Sequence, residues 1–347
     1  MQIDDAGNVF GTRKGRGNGP TLVVSAHLDT VFPEGTNTDV KEKEGAYYAP
    51  GIADDGRGLA AIFSLIRAFN HTSLETIGDI IFAATVGEEG LGDLKGVKAL
   101  FNGSFSIDGF ISIEPGEPSR TTYLGTGSRR YSVNYIGKGG HSFGDFGLPS
   151  AIHAMGRAIA DISNLTTLDE PKTTFTVGTV NGGTSINTIA EKANMMIDIR
   201  STSHEELFKL EQQVLKVVER AADEENKRWG GNTIRVEYDL VGYRPAGSQA
   251  PDSYIVQAAL AATRSLGFEP KLGNPSSTDS NVPISMGIPA VTLGGGGEFG
   301  GTHTLNEYSI PTEAFYGVQK IFLTILGLVG VDNLIEPLLI KLTTKQN

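Results

Sequence analysis

The chain has 347 residues, of which 40 are acidic and 29 basic, with a formal charge of -11 and no cysteine. The length favours two domains, each large enough to bury its own core. The acidic balance disfavours nucleic acid and anionic membrane surfaces as partners, because both are bound by clustered Lys and Arg. The missing cysteines exclude disulfides and thiolate metal sites, so any metal must be held by His and carboxylate ligands.

Short apolar runs alternate with a helical pattern in the first part of the chain. The runs predict strands at 22–26, 80–86 and 109–113, and the helical pattern lies at 58–70. This alternation is typical of an α/β layer with a largely parallel sheet. The same pattern returns near the end of the chain, with helices expected at 252–265 and 312–328 and a strand at 288–293.

The order of elements changes between these two parts. Strands are expected at 130–136, 173–180, 194–200 and 233–241, and helices at 150–164 and 205–225. This is the β-α-β-β-α-β order of a ferredoxin-like unit. We therefore predict an α/β catalytic domain of residues 1–127 and 242–347 with a mostly parallel sheet, and an inserted ferredoxin-like α+β domain of residues 128–241.

No segment suggests a membrane span or a secretory signal. The apolar stretch 321–331 near the end of the chain is far shorter than the roughly 20 residues that span a bilayer, and we interpret it as part of a core helix. Residues 1–20 are polar and rich in glycine, without a positively charged segment leading into an apolar one. We expect a cytoplasmic protein that binds no membrane.

Residues of the metal-binding type follow the predicted strands. His27 and Asp29 come directly after the first strand, and side chains two apart on a strand point the same way. The imidazole can therefore face a metal while the Asp29 carboxylate orients the ring. Glu114 and His303 stand in similar positions, although each could equally be a turn residue.

Asp54 precedes the first predicted helix, in a turn punctuated by glycines. An Asp before a helix is more often an N-cap than a metal ligand. The neighbouring ligand-type residues favour the second interpretation, because a carboxylate at a sharp turn can bridge two cations about 3.5 to 4 Å apart. The sequence therefore predicts that Asp54 bridges two metals.

Glu88 and Glu89 follow the second buried strand. Adjacent acids are usually solvated surface residues, but successive side chains at a strand end diverge. One carboxylate can therefore bind a metal while the other takes a proton from the attacking water and hands it to the leaving amine. The pattern indicates hydrolysis of an amide bond.

The chain resembles the co-catalytic zinc exopeptidases that include glutamate carboxypeptidase, peptidase T and aminoacylase. The resemblance covers nearly the whole chain and rests on five segments: His27-Leu-Asp29-Thr30, Gly51-Ile-Ala-Asp54-Asp55, Gly87-Glu-Glu-Gly90, Glu114-Pro115 and Gly301-Thr-His303. It implies that two zinc ions are bound by the set His27, Asp54, Glu89, Glu114 and His303. Asp54 would be the bridge, Asp29 would orient His27, and Glu88 would be the general base.

The resemblance has further implications. It implies a cis peptide bond between Asp54 and Asp55 and a homodimer formed through the inserted domain, which acts as a dimerisation or lid domain. His141 would reach the partner subunit's site and steady the developing oxyanion. Asn187 and Arg200 would bind substrate, and arginine suits a substrate carboxylate because it donates two parallel hydrogen bonds.

Two features depart from the family pattern. Relatives have a further helical segment before the position of Met1, so the natural start can lie upstream, which weakens the cytoplasmic expectation. Glu114 is typical of the carboxypeptidase and deacylase branches, whereas the tripeptidase and dipeptidase branches tend to have Asp there.

The sequence predicts a two-zinc exopeptidase that acts on small peptides, and the ligand types also suit cobalt or manganese. The alternatives are an N-acyl amino acid deacylase or carboxypeptidase, and a non-catalytic binding protein with the same fold. The presence of Glu88 beside all five ligand positions argues against the last of these.

Overall fold

The computed structural model describes residues 1–103 and 106–342. The chain forms two compact units, one of Met1–Gly125 with Gly247–Asn347 and one of Thr126–Ala246. The second unit is thus inserted between the two parts of the first along the chain.

The strands and helices are numbered separately in chain order. The strands are β1 Gln2–Ile3, β2 Val9–Arg13, β3 Thr21–His27, β4 Lys41–Lys43, β5 Ala46–Tyr48, β6 Asp79–Thr85, β7 Gly109–Glu114, β8 Arg120–Thr122, β9 Gly127–Ile136, β10 Gly140–His141, β11 Thr173–Gly182, β12 Thr188–Ile189, β13 Lys192–Ser201, β14 Arg235–Arg244, β15 Lys271–Leu272, β16 Ala290–Gly294, β17 Glu298–Gly300 and β18 Tyr308–Ile310. The helices are α1 Gly56–His71, α2 Lys95–Asn102, α3 Ala151–Ser163, α4 His204–Arg228, α5 Tyr254–Ser265, α6 Asn281–Ser285 and α7 Phe315–Val329.

The first unit is built on an eight-stranded sheet with the order β1-β2-β6-β3-β7-β16-β8-β15. Its four central strands, β6, β3, β7 and β16, are parallel. The predicted α/β class and mostly parallel sheet are confirmed. Because parallel strands end at the same edge, the residues that follow β3, β6 and β7 are brought to one side of the sheet.

The sheet is held by apolar side chains on helices that pack against it. In α7, Ile321, Ile325 and Leu328 are fully buried beside Leu65 and Phe69 of α1. The expected core helix at the end of the chain is therefore present. Among the residues that the structure describes, no helix is long and apolar enough to cross a membrane.

The second unit has a four-stranded antiparallel sheet with the order β11-β13-β9-β14. Helices α3 and α4 contribute Ala158, Leu210 and Val214 to a core shared with Val133 and Ile197 of the sheet. The element order β9-α3-β11-β13-α4-β14 is the ferredoxin-like arrangement that the sequence predicts.

Candidate metal centre

Three neighbouring parallel strands deliver acidic and imidazole side chains to one edge of the large sheet. His27 is the last residue of β3, and Glu114 is the last residue of β7. Glu88 and Glu89 follow β6, whose Thr85 pairs with His27. This convergence follows from β3, β6 and β7 being adjacent and parallel.

The turn before α1 uses its two aspartates differently. Asp55 is the N-cap of α1, and its carboxylate accepts the backbone N–H groups of Gly58 at 3.0 Å and of His27 at 3.1 Å. Capping therefore occupies Asp55 and leaves the carboxylate of Asp54 directed at the ligand cluster. The peptide bond between Asp54 and Asp55 is cis, as expected.

The two carboxylate oxygens of Asp54 face two different histidines. Oδ1 lies 2.9 Å from Nε2 of His27, and Oδ2 lies 3.2 Å from Nε2 of His303. Each histidine also meets a glutamate, with His27 Nε2 3.9 Å from Glu114 Oε2 and His303 Nε2 2.8 Å from Glu89 Oε1. The structure thus brings together all five side chains that the sequence predicts as metal ligands.

The contact between Asp29 and His27 differs from the expectation. Nδ1 of His27 donates to the backbone carbonyl of Asp29 at 2.8 Å, whereas the nearest carboxylate oxygen of Asp29 is 3.9 Å away, too far for a hydrogen bond. The carboxylate instead accepts the backbone N–H groups of Glu88 at 3.0 Å and Glu89 at 2.9 Å. The prediction that the Asp29 carboxylate orients the His27 ring is therefore corrected: its main chain does so.

The hydrogen bond to the carbonyl of Asp29 determines the state of the His27 ring. Because a carbonyl oxygen only accepts, Nδ1 carries a proton, so in the neutral form of the ring Nε2, which faces Asp54, is the nitrogen that holds the lone pair. This is the tautomer that binds a metal through Nε2.

Glu88 is buried, with 5% of its surface exposed. It follows β6, whose last residue pairs with His27, and its negative charge raises the pKa of both His27 and Glu114. A buried carboxylate beside the predicted ligands is suitably placed for the general base that the sequence predicts.

The electrostatics of the cluster favour a cation. Burial alone would lower the pKa of His27, but the hydrogen bond to Asp54 and the charges of Glu114, Asp55 and Glu88 raise it to about 12. Burial raises the pKa of the Asp55 and Glu114 carboxyls well above the usual range, and neighbouring carboxylates add to this. So many carboxylates at short range are balanced best by bound positive charge.

The donor set fits a divalent metal. His27, Asp54 and Glu89 each offer one ligand atom, and these atoms lie within 4.8 Å of one another. Imidazole nitrogens mixed with carboxylate oxygens are ligands that zinc and similar transition metals accept. The cluster is therefore a candidate site for such an ion.

Sequence reasoning missed Glu307, which is fully buried. Its carboxylate accepts three backbone N–H groups of the turn that carries Asp54, those of Gly51, Ala53 and Asp54, at 2.9 to 3.1 Å. The only available signal was an acid four residues after His303. Nothing in the local pattern distinguishes that acid from a solvated one.

The other predicted substrate residues lie in the second unit. His141 and Asn187 line one cavity of about 940 Å³, at the end of the sheet that contains Lys192. Arg200 lies near the other end of β13 and bonds to Asp198 at 2.6 Å. At roughly 3.3 Å per residue it is about 26 Å along the strand from Lys192. Within this unit, Arg200 is therefore separate from the cavity of His141 and Asn187.

Comparison with known proteins agrees with this geometry. The model of peptidase family M20/M25/M40 matches residues 23–326. The chain belongs to this family. As a member of the M20/M25/M40 family it is a metal-dependent hydrolase of amide bonds, and the resemblance expected from the sequence is confirmed.

Individual M20 relatives are similar over most of their length. The uncharacterized protein YqjE of Bacillus subtilis is 30% identical over 329 residues, which cover 92% of this chain and 84% of that protein. The crystal structure of a tripeptidase from Staphylococcus aureus has a TM-score of 0.78 and 25% identity, covering 93% of this chain and 87% of that chain. Aminopeptidase PepT from Bacillus cereus has a TM-score of 0.74 and 26% identity, covering 92% and 84%.

Proposed function

We propose that the chain is an exopeptidase with two zinc ions that removes a terminal residue from small peptides. The observation that carries this proposal is the arrangement of Asp54, whose two carboxylate oxygens face His27 and His303 separately. A carboxylate in this position suits a bridge between two cations.

The ligands divide into two groups around the proposed bridge. His27 and Glu114 lie on the side of Oδ1 of Asp54, and they would hold one ion. His303 and Glu89 lie on the side of Oδ2 and would hold the other. When bound, the two ions polarise the scissile carbonyl and lower the pKa of the attacking water.

Glu88 is the proposed general base. Its carboxylate would accept a proton from the attacking water and later donate it to the nitrogen of the leaving amine. The Asp29 carboxylate supports this role, because its hydrogen bond to the backbone N–H of Glu88 holds the start of the turn in place. Burial keeps bulk water away from Glu88 and strengthens the electrostatic interactions of its carboxylate.

Small peptides are the proposed substrates. The similarity to a tripeptidase and to aminopeptidase PepT supports this class, and makes tripeptides the first compounds to test. Glu114 favours the alternative, an N-acyl amino acid deacylase or carboxypeptidase, because the sequence resemblance associates glutamate at this position with those branches. Both alternatives use the same metal centre and differ in the pocket that holds the substrate.

Residues of the second unit are proposed to complete the site in a homodimer. Backbone N–H groups of Phe143 and Gly144 donate to Nδ1 of His141, so Nε2 carries the proton and can donate to a substrate oxygen. Asn187 lies beside His141: the N–H of Ser142 donates to the carbonyl of Asn187 at 3.0 Å, and His141 pairs with Thr188. Arg200 is the proposed anchor for a substrate carboxylate.

Two features of the second unit support self-association. Within the described residues β11 pairs only with β13, so its outer edge is open to another strand. Ile186 and Phe143 of the same unit expose large apolar side chains. The mass of the protein in solution, measured by light scattering after gel filtration, tests the dimer.

The cytoplasmic location expected from the sequence stays a prediction.

One experiment tests the proposed function. Purified protein is stripped of metal, reconstituted with zinc, cobalt or manganese, and assayed with di- and tripeptides and with N-acyl amino acids. We expect two equivalents of zinc per chain and metal-dependent release of a terminal amino acid from peptides. Turnover of N-acyl amino acids alone would favour the deacylase. Metal binding without turnover of any compound would favour the non-catalytic alternative.

A further inference from the structure

We infer that Glu307 is a positioning residue that sets the metal affinity of the centre, through hydrogen bonds from its side chain to the backbone of the turn that carries Asp54. The inference rests on the proposed function, since it concerns the turn that carries the proposed bridging ligand. Glu307 is separated from Asp54 by 253 positions in the sequence, and its side chain is fully buried.

The carboxylate of Glu307 organises the Asp54 turn through its main chain. Oε1 accepts the N–H groups of Ala53 and Asp54, both at 2.9 Å, and Oε2 accepts the N–H of Gly51 at 3.1 Å. Closely spaced backbone N–H groups of a turn form a concavity that binds anions. A carboxylate only accepts hydrogen bonds and has two oxygens, so it satisfies all three donors.

The backbone of Glu307 strengthens the same connection. Its carbonyl accepts the N–H of Ala49 at 3.2 Å, just before the turn. The next residue, Tyr308, begins β18 and pairs with Tyr48 of β5. Main chain and side chain of this short segment therefore hold the chain on both sides of Gly51.

Glu307 also lies four residues after His303, a second proposed ligand. The intervening loop is compact, because the N–H of Thr304 donates to the carbonyl of Gly301 at 3.0 Å and the N–H of Glu307 donates to that of Thr304 at 3.1 Å. One short segment thus carries His303 at one end and holds the Asp54 turn at the other. The 3.2 Å approach of His303 Nε2 to Asp54 Oδ2 depends on this connection.

The test compares Glu307→Gln with a matched variant of another buried carboxylate. Asp108, 1% exposed, accepts the N–H groups of Thr21 and Leu342, both at 2.7 Å. Thr21 begins β3 and His27 ends it, so Asp108 is about 20 Å from the ligand edge of the same sheet. Asp108→Asn therefore changes a similar structural bond far from the metal centre.

Zinc dissociation constants are measured by competition with a chromophoric chelator, and melting temperatures are measured on the metal-free proteins. We expect Glu307→Gln to weaken zinc binding by about 10- to 100-fold, the usual effect of losing a residue that positions a ligand. Asp108→Asn should stay within about twofold of the unchanged protein, even where both variants lower the melting temperature, because its bonds do not reach a ligand. Gln keeps one of the two acceptor oxygens of Glu307. Glu307→Asp is a second variant, which keeps the negative charge but has a side chain too short by one methylene group to reach the same N–H groups.

Zinc binding by Glu307→Gln as tight as that of the unchanged protein would overturn the inference. So would an equal loss of affinity in Asp108→Asn, which would mean that the effect follows general destabilisation. A different result concerns the proposed function itself: if the unchanged protein binds no zinc, the two-metal centre is wrong, whatever the variants do.

Discussion

Oδ1 of Asp29 accepts a 3.0 Å hydrogen bond from the backbone N–H of Glu88, the proposed general base. Oδ2 accepts the N–H of Glu89, so a single carboxylate holds the start of the turn that carries the proposed base and a proposed ligand. The position of both acids is thus set by their main chain, and their carboxylates stay available for the reaction and the metal.

Asp29→Asn tests this relationship. The amide has one acceptor oxygen, so one of the two backbone N–H groups loses its partner and the turn shifts. We expect kcat/KM on a tripeptide to fall by about 10- to 100-fold and zinc binding to weaken as well. Steady-state kinetics and chelator competition measure the two effects. Asp39→Asn, on an exposed loop, is the control, and equal kinetics for both variants would contradict the role of Asp29.

Glu88→Gln tests the proposed base. The amide keeps the size of the side chain and cannot accept the proton of the attacking water, so kcat should fall by about 100- to 10,000-fold. Zinc content should remain at two equivalents, because Glu88 is not one of the proposed ligands. Metal analysis and kinetics on the same sample check both statements. If Glu88→Gln keeps both its zinc and its turnover, another group moves the proton. Glu34→Gln, which changes an exposed glutamate in the same way, is the control.

Asp54→Ala and Glu89→Ala distinguish a bridging ligand from a terminal one. Asp54 faces both histidines, so its loss should weaken the binding of both ions. Less than one equivalent of metal per chain should then remain after gel filtration. Glu89 contacts His303 at 2.8 Å and is a proposed ligand of one ion, so its loss should leave close to one equivalent. The metal content per chain of each variant, measured by inductively coupled plasma mass spectrometry, distinguishes a bridging ligand from a terminal one. Two equivalents retained by Asp54→Ala would exclude the bridge.

Lys320 predicts a pH dependence of stability. It is fully buried in α7, where its amine donates to the carbonyl of Arg120 at 2.7 Å, and burial lowers its pKa to about 7. The unfolded chain holds this proton up to about pH 10.4. Between these values the unfolded state binds more protons, so the free energy of unfolding rises with pH, by about 1.4 kcal/mol per unit at most. The contribution is lost as the pH falls through 7.

Lys320→Met removes the titrating group and keeps a side chain of similar length. Denaturant unfolding of the metal-free protein and of this variant, at pH 7 to 9.5, isolates the effect of Lys320 as the difference between the two curves. We expect the difference in unfolding free energy to change in favour of the lysine protein as the pH rises. A difference that is independent of pH would mean that the buried amine stays charged.

The sequence determined the elements and the ligand types. Apolar periodicity predicted β3, β6 and β7, and placed His27, Glu88, Glu89 and Glu114 at their ends. Convergence followed from a general rule, since parallel strands end at one edge of a sheet. The ferredoxin-like order of the second unit was equally readable, because strand and helix periods differ and strong turn signals separate the elements.

Only the tertiary structure decided which of several equivalent acids has which partner. Asp54 and Asp55 are chemically identical in the sequence, yet one faces the histidines and the other caps α1. Asp29 acts through the backbone of Glu88, and Glu307 reaches its turn across 253 positions. Composition and period carry no information on these choices, because hydrogen bonds depend on differences of a few tenths of an ångström that long-range packing sets.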